Sequence, residues 1–218
     1  MEWALLESLS EADRRAILTR CRRHRYSRNE VVFREGEIGD CVHLLAKGTV
    51  AVRVSTPSGD VATLDVLRPG EAFGEQALVG DDDRRSATIV ALERTETMRL
   101  TRDDFVKLLI DQPNTGRLLV AMLDARLRAT SQSLLEALYL PADTRVFRQL
   151  GRLAAIYTET GTSAIPVTQD DLATMAGTTR QTVNRVLRHA QDTGLLRLAR
   201  GRVEIADAAA LAKRARTV

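Results

Sequence analysis

Between Arg25 and about Leu100 the chain is cut into short pieces. Segments rich in β-branched residues (EVVF, CVHLLAKG, TVAVRVS and VATLDVL) alternate with the glycine-bearing turns REGEIGD, TPSGD and RPGEAFGE. Turn signals recur every eight to twelve residues. Turns that frequent leave no room for a long helix and direct the segment into an all-β sandwich, barrel or roll. Gly36, Gly39, Gly48, Gly59 and Gly70 are expected to supply positive φ angles at those turns.

Helical signals lie on both sides of this region. Ser10 is placed to cap a short amphipathic helix ending at Arg20, with Glu11 and Asp13 in its first turn. Thr101 and Asp104 form a capping box for a helix over TRDDFVKLLI. Pro113 then opens a long helix to about Leu138, in which Val120, Leu123, Leu127, Thr130, Leu134 and Ala137 follow alternating steps of three and four. This is a heptad seam, so the helix is expected to pair with a second copy of the chain through Val120, Leu123, Leu127 and Leu134. Thr130 breaks the apolar seam, and a polar residue there lowers stability unless it has a task. Leu140-Pro141 ends the pattern, with Pro141 at the first position of a helix to about Tyr157, followed by the polar loop ETGTSA. The expected organisation is α+β: a β-rich domain over 1–112, a dimerisation helix over 113–139, and a helical domain with a β tail over 140–218.

The stretch VTQDDLATMAGTTRQTVNRVLRHAQDTGLLRL reads as two short helices joined at Ala176-Gly177-Thr178. Thr168 with Asp171 caps the first, and Thr178 with Gln181 offers a box for the second. Leu172, Ala173, Ala176, Val183, Val186 and Leu187 form the shared apolar set, the spacing of a helix-turn-helix. The second helix has no acid between Thr178 and Gln191 and carries Arg180, Gln181, Asn184, Arg185 and Arg188 on its polar side. Such a face suits a DNA major groove. Thr168, Gln169 and Thr179 at the helix starts are further candidates for DNA contact, as are Arg200 and Arg202 at the tip of an expected β-hairpin wing. Charge agrees: residues 1–138 hold 20 Lys+Arg against 22 Asp+Glu, and residues 139–218 hold 12 against 7. A basic C-terminal third points to a polyanion.

Other chemistries fit poorly. The two cysteines, Cys21 and Cys41, are too few for a disulfide framework or a four-cysteine metal site. They are expected to be plain core or edge residues. His24, His43 and His189 have no telling spacing, so no metal is expected. No nucleophile–base–orienter set appears, and the chain is not expected to be an enzyme. No apolar run approaches the roughly 20 residues that cross a bilayer, and MEWALLESLSEADRR lacks the layout of a signal peptide. The expected place is the cytoplasm, with no membrane partner.

The stretch FGEQALVGDDDRRSAT holds Gly74-Glu75 and Arg85-Ser86, with Arg85 ten residues after Glu75. With that spacing, with Arg126 and then Thr130-Ser131 on the long helix, and with the helix-turn-helix, the chain resembles the Crp/Fnr family in its cyclic-AMP receptor branch. The resemblance implies an N-terminal cyclic-nucleotide-binding β-roll (jelly roll), a long dimerisation helix and a C-terminal winged helix-turn-helix. Gly74, Glu75, Arg85, Ser86, Arg126, Thr130 and Ser131 would then bind the nucleotide. Arg85 matches a phosphate with a fork of charged donors, and Glu75 would accept the ribose 2′-hydroxyl. Thr130 of one protomer and Ser131 of the partner subunit would meet the adenine amino group. Implied partners are cyclic AMP as an allosteric ligand, a two-fold-symmetric double-stranded DNA site, a second protomer and RNA polymerase. A roll that has lost its ligand but still binds DNA is the alternative. In the cyclic-AMP receptor branch the reading helix carries Arg-Glu-Thr-Val-x-Arg. Here it is Arg180-Gln181-Thr182-Val183-Asn184-Arg185, so one base preference is expected to differ.

Overall fold

The structure, a computed structural model, describes residues 3–159 and 164–216; residues 160–163 of the expected ETGTSA loop lie outside them. The chain divides into two compact units, Met1–Val54 with Asp65–Arg128, and Ser55–Leu64 with Ala129–Val218.

The first unit is the expected roll. After a 3-10 turn at Ala4–Leu6 comes α1 (Glu11–Arg20), then β1 (Arg22–Tyr26), β2 (Val31–Phe33), β3 (Cys41–Lys47), β4 (Val50–Ser55), β5 (Val61–Leu67) and β6 (Ala72–Phe73). A short α2 (Gln76–Val79) precedes β7 (Thr88–Ala91) and β8 (Thr95–Thr101), and α3 (Arg102–Asp111) leads to α4 (Pro113–Tyr139). The strands form two four-stranded sheets in the orders β1-β8-β3-β6 and β2-β7-β4-β5. Alternation along β3 divides its side chains between two cores. Val42, Leu44 and Ala46 join Leu6, Leu100 and Phe105, whereas Leu45 joins Val50, Leu67, Phe73 and Ile89. Trp3 is buried in the first core and donates its indole N–H to the Leu45 carbonyl at 3.1 Å.

Ser10 caps α1 as expected, accepting from the Asp13 N–H. The helix is less amphipathic than its pattern suggests: none of its residues is fully buried, and only Ile17 and Leu18 pack partly on the core. Gly36, Gly48, Gly59 and Gly70 take positive φ, and Gly39 does not. Gly39 is needed for space instead, since a Cβ there would stand 2.5 Å from the Ala77 Cβ.

The second unit holds α5 (Ala142–Glu159), β9 (Ala164–Ile165), α6 (Gln169–Ala176), α7 (Arg180–Asp192), β10 (Leu196–Ala199), β11 (Arg202–Ile205) and α8 (Ala208–Arg216). The three strands pair in the order β10-β11-β9. Leu172, Ala173, Ala176, Val183, Val186 and Leu187 are all buried, so the helix-turn-helix core is the one read from the sequence. Thr168 and Asp171 make a reciprocal capping box. The cap of α7 lies one residue later than expected. Gly177 turns left-handed at φ 57° and ψ 48°, and the Thr178 N–H closes on the Ala173 carbonyl. Thr178 therefore belongs to the turn, and Thr179 caps α7 by accepting from the Thr182 N–H at 3.2 Å. Arg145 of α5 secures this turn by donating to the carbonyls of Leu140, Ala176 and Gly177.

Two buried ionisable groups give tests of this packing. His43 of β3 is 3% exposed and stacks on Phe73 with ring centroids 5.0 Å apart. Burial first, then the nearby Arg85 and Arg99 guanidiniums, push its pKa from 6.5 down to about 3. The unfolded chain therefore binds this proton more readily than the folded one. The contribution to stability is complete above pH 6.5 and is lost as pH falls toward 3. Urea unfolding is expected to weaken by up to about 1.4 kcal/mol per pH unit in that window. His43→Gln flattens the fall; parallel pH profiles for the two proteins would contradict the assignment.

Glu136 of α4 is 5% exposed and receives Arg148 Nη1 at 3.0 Å and Arg152 Nη2 at 2.7 Å. Its truncation strands two guanidiniums that retain partial access to water. Glu136→Ala should therefore cost about 2 kcal/mol in chemical denaturation, below the loss typical of a fully buried pair. A loss under about 0.5 kcal/mol would remove Glu136 from the unit's stabilising contacts.

Candidate functional site

In the first unit β6 delivers Gly74 and Glu75, and the turn before β7 delivers Arg85 and Ser86. The main chain fixes Arg85 through its N–H to the Glu37 carbonyl and through the Gly36 N–H to its own carbonyl. Its side chain is 3% exposed. Nη1 donates to the carbonyls of Cys41 at 2.9 Å and Gly74 at 2.7 Å, and the guanidinium lies 4.1 Å from the Phe33 ring centroid. The Asp40 carboxylate stands 3.6 Å away. Burial pushes the Asp40 carboxyl up, but the Cys41 thiol and Arg99 outweigh it and hold the group below its usual range. Cys41 is buried as expected but is more than a plain core residue: its Sγ accepts from Arg99 Nε at 3.1 Å. Burial, joined by the contact with Asp40, raises that thiol's pKa.

Glu75 is 1% exposed, and its Oε1 accepts from Arg126 Nη1 of α4 at 2.8 Å. Arg126 also donates to the Ala72 carbonyl. Glu75 thus pairs with the long helix. Asp81, Asp82 and Asp83 are exposed, as expected, and Asp83 pairs with Arg102 at 2.7 Å. Arg84 is exposed and donates to the Gly36 carbonyl. Ser86 donates to Gln76 Oε1 at 2.6 Å.

Two buried polar atoms in this cassette have no hydrogen-bond partner: Glu75 Oε2, an acceptor, and Arg85 Nε, a donor. An unsatisfied buried group costs about 1–3 kcal/mol. A ligand bringing a hydroxyl donor and an anionic oxygen would satisfy both. The donor and acceptor types would suit a ribose hydroxyl and a phosphate, but both atoms are closed to solvent, so a ligand reaches them only when neighbouring groups move.

Thr130 and Ser131 are exposed on α4. Val120, Leu127 and Leu134 are 66%, 66% and 60% exposed, an apolar stripe of the spacing expected for the seam. Leu123 is half-buried and packs on the roll's own core, so it serves that core as well.

In the second unit Arg180, Gln181, Arg185 and Arg188 are exposed on α7, and Asn184 is half-buried. Thr168, Gln169, Arg180, Arg200 and Arg202 line one groove between the helix pair and the wing. The wing is the predicted hairpin, β10 paired with β11 around Arg200-Gly201. The hydroxyls of Thr168 and Thr179 cap helices, and Gln169 Nε2 donates to Asn184 Oδ1 at 3.3 Å. Gln181 is not used as a cap. Sequence reasoning missed the acids that face the arginines: Asp170 lies 3.3 Å from Arg180, and Asp143 holds Arg185 at 2.7 Å. It missed Phe33 over Arg85 as well. None of these pairs has a periodic signal. Among the described residues no helix is long and apolar enough to cross a membrane, and no cluster of His, Cys, Asp or Glu could hold a metal ion.

Residues 23–112 match the cyclic nucleotide-binding domain and residues 144–214 the Crp-like helix-turn-helix domain. The cyclic AMP receptor protein of Thermus thermophilus is 34% identical over 208 residues, covering 95% of this chain and 94% of the relative. The CRP-like cAMP-activated global transcriptional regulator of Mycobacterium tuberculosis is 30% identical over 195 residues, covering 88% and 87%. Among solved structures, the c-di-GMP responsive global regulator CLP of Xanthomonas campestris has a TM-score of 0.78 at 22% identity, covering 91% of this chain and 100% of that one, a likeness of fold alone. The chain belongs to the Crp/Fnr family of DNA-binding transcription regulators with a cyclic nucleotide-binding domain.

Proposed function

We propose that the chain acts as a cytoplasmic homodimer that binds a two-fold-symmetric DNA site under the control of cyclic AMP, as a regulator and not an enzyme. The observation that carries the nucleotide reading is the pair of buried, unsatisfied atoms, Glu75 Oε2 and Arg85 Nε. A cyclic phosphodiester is a monoanion that attracts Arg85, and Glu75, which would repel a phosphate, is suited to accept a sugar hydroxyl. Gly74, Ser86 and Arg126 complete the binding set, with Thr130 and Ser131 reserved for the base. Similarity to two relatives named for cyclic AMP supports the choice of ligand.

The exposed stripe on α4 supports pairing with a second copy, because apolar side chains repeated at heptad spacing, here Val120, Leu127 and Leu134, favour being covered in water. Two copies of α7 about 34 Å apart would read half-sites one DNA turn apart. RNA polymerase is a further partner on this reading. Ligand control follows only to the extent that the nucleotide binds the DNA-competent state better.

A second reading, a regulator independent of this ligand, is favoured by one observation. Arg85 Nη1 already serves two main-chain carbonyls.

Calorimetric titration with cyclic AMP, cyclic GMP and buffer separates the two readings. Saturable cyclic AMP binding that Arg85→Leu weakens at least about 100-fold supports the first, since a buried charge-assisted contact is lost. No heat with either nucleotide would leave the second.

The reading helix gives its own test. Gln181 pairs best with adenine, and a Glu would accept from cytosine N4. Gln181→Glu should change the selected base at one position per half-site, by about 1–3 kcal/mol. An unchanged selected sequence would remove Gln181 from base reading.

A further inference from the structure

Two arginines of α7 carry acidic companions from other helices, and the two pairs differ in geometry. Asp143, in the first turn of α5, accepts with both oxygens from Arg185: Oδ1 from Nη2 at 2.7 Å and Oδ2 from Nη1 at 3.1 Å. Asp170 approaches Arg180 through one contact at 3.3 Å. Both pairs are exposed, so their contribution to stability is small. The consequence of the Asp143 fork is directional.

A guanidinium has five N–H groups in one plane. An end-on fork engages one hydrogen on each Nη. The Nε–H and the outer Nη2–H, on the adjoining edge of the same plane, remain available. Two parallel donors on that edge suit O6 and N7 of guanine. An arginine fixed in this way has already lost much of the rotamer freedom that a bidentate base contact removes. The carboxylate also offsets one positive charge on the reading surface, which weakens attraction to phosphate of any sequence.

We propose that Asp143 is a specificity-determining residue: it sets the plane of Arg185 so that the Nε–Nη2 edge faces guanine, and it restrains the same guanidinium from resting on phosphate. This rests on the reading of Arg185 as a base-contacting residue. Specificity is a difference of affinities, and Asp143 acts on both sides of that difference. Asp170, with a single contact, fixes no plane for Arg180 and serves as the internal comparison.

The test uses the full-length protein and a duplex that the wild type enriches from a random pool. It includes each single-base change in one half-site and one unrelated duplex. Asp143→Asn should lose about tenfold of discrimination at one base pair, the value of a weakened bidentate contact. That base pair is the one at which Arg185→Ala also loses discrimination. Binding of the unrelated duplex should tighten about threefold, with a steeper salt dependence. In an Arg185→Ala background Asp143→Asn should change no base preference further, leaving only the gain in non-specific binding, and Asp170→Asn should leave the Arg185 position untouched. An even loss across all base positions with a lowered melting temperature would make Asp143 a structural residue only. Full discrimination retained by a stable Asp143→Asn protein would also overturn the proposal. If Arg185→Ala alters no base preference, the proposal falls as well, and the fault lies in the reading of α7 rather than in Asp143.

Discussion

The interaction on which the first unit depends is the buried guanidinium of Arg85. A cation taken out of water must be met by nearby acceptors or its burial is prohibitive. The chain meets it with the main-chain carbonyls of Cys41 and Gly74, at one end of β3 and just beyond β6. Main-chain acceptors hold position more firmly than long side chains do. They work here because glycines let the strands approach: a Cβ on Gly74 would stand 2.5 Å from Arg85 Nη1, and one on Gly39 would stand 3.3 Å from its Nε. Phe33 covers the guanidinium face, and His43, kept neutral, adds no second positive charge beneath it. Among the buried side-chain atoms of the described residues, Arg85 Nε and Glu75 Oε2 of this cassette remain without a hydrogen-bond partner.

The second unit solves a different problem, the ordering of exposed cationic side chains on the second helix of the helix-turn-helix. The rigid part comes first. Arg145 joins three carbonyls around the turn, Thr168 and Thr179 cap the two helices, and a continuous apolar core lies beneath. On this frame the exposed side chains of α7 are held by neighbours, Asn184 by Gln169 and the arginines by Asp170 and Asp143. Order on the exposed face of α7 thus comes partly from residues that lie outside it.

Much of this was legible in the sequence. Turn spacing located the strands, because each strand of a roll must end within a few residues. The helix-turn-helix core was legible because local periodicity decides which residues of a short helix are buried. The ten-residue step from Glu75 to Arg85 marked the cassette. Most of the failures depend on contacts between residues distant in sequence, and one on local turn geometry. Gly39 was read as a turn glycine but is small because Ala77 and Arg85 press on it. The α7 cap fell one residue late because Gly177 extends the turn. Trp3 entered the core without any pattern to announce it, and the Asp143–Arg185 fork spans 42 residues.

If Arg85 and Glu75 bind a cyclic nucleotide as proposed, the Nε–H of Arg85 reports on it directly. Its ¹H–¹⁵N resonance can be followed while cyclic AMP is added to the full-length protein. On that proposal the signal moves downfield and exchanges more slowly with water as the nucleotide saturates, in step with the fraction of protein bound. A resonance unchanged at saturating cyclic AMP would contradict it, and would leave a roll that is closed on its own main chain.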